Sequence, residues 1–167
     1  PACNQTYLPH YLVSPSPDFP AVFKFRPDRE ATSEGRAASA LLRLLDELPR
    51  HGALIIRGLP IDSAAGFSLL LHEADLPLQD YIGGVTARHL VAPKVTPASS
   101  EPGTIDMELH SDGTYRPLPP EKILLWCEVP PASGGQALIA DTRAVLRRLK
   151  RDAPEALAEL VQRKVRY

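Results

Sequence analysis

The chain has 167 residues, 44% of them hydrophobic, enough for one packed domain. Nineteen Lys and Arg against 20 Asp and Glu leave a net charge of −1, so no broad basic surface is offered to nucleic acid or to an anionic membrane. No apolar run approaches the ~20 residues of a transmembrane helix and no basic-then-apolar leader opens the sequence, so a cytoplasmic location is expected.

Cys3 and Cys127 are too few for a disulfide framework or a cysteine metal site. Cys127 lies in an apolar stretch and is expected to be a small buried hydrophobe. Eighteen prolines argue for a loop-rich α+β fold with short strands. The sequence starts at Pro1 and stops at Val165-Arg166-Tyr167, inside an apolar-basic run that reads as a strand. Residues 1–167 are therefore expected to be one domain, the N-terminal portion of a larger protein.

Residues 1–29 mix prolines with Tyr7, Tyr11, Phe19, Phe23 and Phe25, the composition of an extended arm packed on the core, with a short strand at 21–25. Ser33 is placed to cap a helix in which Leu41, Leu44, Leu45 and Leu48 recur at i, i+3, i+4 and i+7, ended by Pro49 and Gly52. Residues 53–57 form an apolar run between glycines, a buried strand. Asp62 or Ser63 caps a second helix to about Glu73, with Phe67, Leu70 and Leu71 inward. His72 has no ligand type at i+3 or i+4 and is expected to be exposed or structural.

The Tyr81-Ile82-Gly83-Gly84 stretch lacks the Gly-Lys-Ser/Thr ending of a phosphate loop; its glycines serve either a turn or a close backbone approach. Residues 91–102 form a Pro/Ser loop long enough to act as a lid. Lys122 to Val129 alternates like a strand, with Ile123, Leu125, Cys127 and Val129 on one face. Pro130-Pro131 and Gly134-Gly135 interrupt it, and 137–140 resume as a strand. Asp141 or Thr142 starts a helix carrying Val145, Leu146 and Leu149, whose Arg147, Arg148, Lys150 and Arg151 read as a solvated face. Asp152 to Glu155 reads as a capping box for the last helix, with Pro154 at an early position.

The chemistry concentrates at His110-Ser111-Asp112. At the end of a strand, residues two apart share a face, about 7 Å apart along the backbone, so an imidazole and a carboxylate converge. These are two of the three ligands of a 2-His-1-carboxylate site. The other reading is a surface turn bent by Asp112-Gly113.

An ordered series of motifs resembles the taurine-dioxygenase-like Fe(II)/2-oxoglutarate-dependent oxygenases. It runs Arg57-Gly58-Leu59-Pro60, Tyr81-x-Gly83-Gly84-x3-Arg88, His110-Ser111-Asp112-Gly113-Thr114-Tyr115 and Pro119-Pro120. An apolar strand with Cys127 follows, then Pro130-Pro131, Gly134-Gly135 and Ala140-Asp141-x-Arg143. The resemblance covers residues 50 to 167. It implies part of a double-stranded β-helix, or jelly roll, flanked by helices, with His110 and Asp112 as catalytic Fe(II) ligands and 2-oxoglutarate as cosubstrate. It further implies hydroxylation of a small molecule, an amino acid or an aminoacyl group tethered to a carrier protein.

By the same resemblance Tyr115 matches a substrate-pocket aromatic, with packing on a strand as its other reading. Ala137 stands where the family places a Thr that bonds the cosubstrate. The second His and the cosubstrate Arg of the family are expected beyond Tyr167, since His10, His51, His72 and His89 all precede the motif. A chain ending at Tyr167 would expose a sheet edge, which predicts a homo-oligomer or a complementing C-terminal segment. Two further readings stand beside the oxygenase: a non-catalytic jelly-roll binding module, and a zinc hydrolase using the same His/Asp pair.

Overall fold

The computed structural model describes residues 12–13, 19–26, 33–82, 88–99, 102, 104–105 and 107–166. Gly83, Gly84, most of the 1–29 arm and Asp106 lie outside the described set. The chain divides into two compact units, residues 1–101 with 124–132, and residues 102–123 with 133–167.

The first unit is built on a three-stranded sheet ordered β1 (Leu12–Val13), β2 (Ala21–Phe25), β3 (Leu54–Arg57). β1 runs antiparallel to β2, while β2 and β3 are parallel, with Ala21 opposite Leu54 and Lys24 opposite Arg57. Parallel neighbours need a crossover, and α1 (Ser33–His51) supplies it. In β2 the alternation is strict: Ala21, Phe23 and Phe25 are buried, while Lys24 faces out. Against them α1 lays Ala37, Ala38, Ala40, Leu41 and Leu44, all buried. The small alanines let the helix approach the sheet, and Leu44 fills the space beneath. Glu47, also buried, pairs with Arg43 at 3.2 Å.

The helix does not stop at Pro49. It continues to His51 and closes where Gly52 N–H donates to the Leu48 carbonyl at 2.7 Å. A proline in the last turn forfeits one backbone bond, and the remaining turn tolerates that loss. After β3, Gly58 sits at φ +83°, where a Cβ would come within 2.9 Å of the Phe25 carbonyl oxygen. Both the angle and the space there require glycine. Ser63 caps α2 (Ala64–Glu73) by accepting from Gly66 N–H at 3.1 Å, and Phe67, Leu70 and Leu71 face the core as the spacing predicts. Buried Ser68 donates to the Pro93 carbonyl at 2.7 Å, tying residues 91–95, a tight turn with an Ala92–Val95 bridge, to α2.

Residues 122–129 are not a strand. The alternation survives within 124–129, with Leu124 and Trp126 packed on the core and Trp126 stacked on Phe67 at 6.1 Å. A period of two buries one set at the expense of the other, and here the set packed on the core is Leu124 and Trp126. Leu125, Val129 and Cys127 are consequently exposed, and Cys127 is not the buried hydrophobe expected of it. Among the described residues no strand pairs with it, so this backbone has no ladder to join there.

The second unit holds α3 (Thr142–Asp152) and α4 (Pro154–Arg163). Asp141 caps α3, accepting from Arg143 N–H at 2.9 Å and from its guanidinium at 2.9 Å. That side-chain bond holds the Asp141 carboxyl below the usual aspartate range and raises Arg143 above the usual arginine value. The capping box at Asp152 does not form: Asp152 ends α3, bonded to Arg151 at 2.7 Å and Arg148 at 3.2 Å, and α4 opens on Pro154 without a side-chain cap. The stretch 137–140 is exposed and carries no strand, and 165–166 are likewise irregular. Among the described residues no helix is long and apolar enough to cross a membrane. The α+β class holds, while the jelly roll itself is not seen among the described residues, whose sheet has three strands.

Candidate metal centre

Residues 107–111 carry no strand, contrary to the expectation for Leu109 to Asp112, and 112–115 form a turn. The two ligand candidates converge nonetheless. His110 Nδ1 lies 2.7 Å from the Glu108 carbonyl oxygen. A carbonyl only accepts, so Nδ1 carries the ring proton, and in the neutral imidazole Nε2 is left with a lone pair. That nitrogen faces Asp112 Oδ1 at 3.5 Å.

Two electron-rich atoms face each other with no proton between them, unless the ring takes a second one. A cation between them removes the conflict. His110 Nε2 and the Asp112 carboxylate would each hold such a cation through one lone pair. The donor set is the imidazole-carboxylate mixture favoured by mononuclear iron and zinc. Both side chains are about half exposed, at 52% each, so an ion has a path in.

The turn explains how an exposed pair keeps this geometry. Gly113 is buried at φ +69°, and a Cβ there would lie 2.8 Å from Pro120 Cδ and 3.3 Å from Arg116 Cδ. Arg116 N–H donates to the Gly113 carbonyl at 3.0 Å and Thr114 Oγ1 to the Ser111 carbonyl at 3.4 Å. The triplet is thus a surface turn, and the turn sets His110 beside Asp112.

Tyr115 follows on the same turn and is exposed. Ala137 lies in the exposed, irregular stretch 133–140, and its methyl group makes no hydrogen bond. The earlier histidines have other surroundings: His51 sets its ring edge-on to Phe23 at 5.8 Å, and His72 and His89 are exposed. Among the described residues no group of three or more His, Cys, Asp and Glu side chains is arranged to hold a metal. Residue patterns alone missed the Glu108 carbonyl, which has no signature because every residue carries one. They missed too the Gly113–Pro120 contact, for which Asp-Gly followed by Pro119-Pro120 is the available signal.

Residues 18–167 match the family described as "Taurine catabolism dioxygenase TauD, TfdA family". The chain is 28% identical over 120 residues to a clavaminate synthase-like protein of Arabidopsis thaliana, covering 72% of this chain and 36% of that protein. It is 30% identical over 124 residues to the dapdiamide synthesis protein DdaC of Enterobacter agglomerans, covering 74% of this chain and 37% of the other. It thus spans little more than a third of the length of these relatives. No solved structure matches. With its motifs in family order and the match running over nearly all its length, the chain belongs to the TauD/TfdA dioxygenase family.

Proposed function

We propose that the protein is a non-haem Fe(II)/2-oxoglutarate-dependent dioxygenase that hydroxylates a small molecule, with His110 and Asp112 as two of its metal ligands. The observation that carries this is His110 Nε2 set 3.5 Å from Asp112 Oδ1 on the family's His-x-Asp motif. In this reading the chain's own share is placement. The Glu108 carbonyl fixes the imidazole tautomer, as a partner behind a ligating histidine commonly does. The Gly113 turn fixes the carboxylate, and Tyr115 borders the substrate. Bound iron would supply oxidation by O2 coupled to decarboxylation of 2-oxoglutarate.

A second histidine and the arginine for the cosubstrate's far carboxylate would come from residues outside 1–167, on a C-terminal segment that completes the jelly roll or on another copy. We place the protein in the cytoplasm, with an amino acid or a carrier-tethered aminoacyl group as substrate. The likeness to a protein named for dapdiamide synthesis supports a biosynthetic role. Ala137 favours one other reading, a jelly-roll binding module without catalysis, because a methyl group there removes a cosubstrate hydrogen bond.

Oxygen-dependent conversion of 2-oxoglutarate to succinate by the Fe(II)-loaded protein, with the segment that supplies the second histidine and the arginine present, separates the two. The dioxygenase reading expects succinate from the parent protein and its loss in both His110→Ala and Asp112→Ala. Equal succinate from His110→Ala would sink the assignment of the site.

A further inference from the structure

Arg88 belongs to the first unit. Its guanidinium carbon lies 4.3 Å from the centre of the Tyr81 ring, a cation–π contact that attracts the charge but supplies no oxygen acceptor. Its Nε is buried, and among the described residues it is the one buried side-chain nitrogen or oxygen without a hydrogen-bond partner. Arginine cannot shed its proton to escape this, so the cost of the buried N–H stands until an acceptor arrives. Asp80, next to Tyr81 in sequence, is bonded to Lys94 Nζ at 2.6 Å. Lys94 is thereby matched, and Arg88 remains a cation with an open N–H.

We infer that Arg88, held by Tyr81, is a binding site for the carboxylate of a small molecule. Nε and the adjacent Nη form the side-on edge of the guanidinium, whose spacing matches the two oxygens of a carboxylate. Tyr81 orients the guanidinium, which lowers the ordering cost of binding.

The test follows the Arg Nε–H resonances of the 15N-labelled protein, with the Arg88 signal identified by its loss in Arg88→Lys. Acetate, succinate and inorganic phosphate are titrated at constant ionic strength. Acetate and succinate shift the Arg88 signal saturably, and calorimetry shows affinity falling about tenfold or more in Arg88→Gln. Tyr81→Ala weakens binding, whereas Tyr81→Phe keeps it. An unmoved or unsaturable Arg88 signal overturns the inference, as does unchanged affinity in Arg88→Gln or saturation by phosphate alone. The titration needs no iron, so its failure leaves the reading of His110 and Asp112 standing.

Discussion

At Gly113 the backbone conformation and the space agree. Gly113→Ala must bear both a positive φ and a contact of 2.8 Å with Pro120. We predict a loss of roughly 1–3 kcal/mol in the stability of this turn, read as weakened metal affinity in titrations with Fe(II). Adding Pro120→Ala relieves the contact but not the angle, so recovery is partial. Full recovery would show the angle to be harmless. Ala137 gives the opposite kind of test. If it occupies a cosubstrate position, Ala137→Thr restores a hydrogen bond to a charged acceptor and tightens 2-oxoglutarate binding by about tenfold. An unchanged dissociation constant would remove Ala137 from the site. The His-x-Asp pair is legible in sequence because both ligands are side chains. The carbonyl that sets the tautomer of His110 is not, because backbone oxygens leave no residue-type signature.

Among the elements, α1, α2, β2 and β3 were readable because each buries a periodic apolar set against the others. The 122–129 stretch shows where that reading fails. Its alternation is real, but alternation does not say which face turns inward or whether a neighbouring strand exists. Caps behaved unevenly: Ser63 and Asp141 each accept from a backbone N–H of the helix that follows, whereas Asp152 lies in the last turn of α3 and bonds Arg148 and Arg151. Ser63→Ala should cost about 1 kcal/mol in thermal or chemical unfolding. For α3 the prediction concerns pH. The Arg143 bond lowers the folded-state titration of Asp141, so its stabilisation is complete above the unfolded value of about 3.9. It is lost as pH falls through the lower folded value. Chemical shifts of the Arg143 and Ala144 amides should follow that titration, and Asp141→Asn should abolish the pH dependence.

At the scale of the molecule, the described apolar core belongs to the first unit. There Phe23 and Leu44 are almost fully enclosed, and Leu44→Ala should cost about 2–5 kcal/mol. In the second unit Val145, Leu146, Leu160 and Val161 are all exposed, and no described apolar side chain is buried. Hydrogen exchange should therefore find β2, β3, α1 and α2 protected and α3 and α4 open within the 167-residue chain. Equal protection in both helix pairs would contradict the contrast in burial. The same unit carries His110 and Asp112, which makes completion of the fold and completion of the metal site one question. The central claim is tested most directly by adding Fe(II) and 2-oxoglutarate, without oxygen, to the purified protein together with the segment that supplies the second histidine and the arginine, and recording its visible spectrum. The account predicts the weak charge-transfer band of a cosubstrate chelated to iron, absent in His110→Ala. No band from the parent protein, or an equal band from His110→Ala, would contradict it.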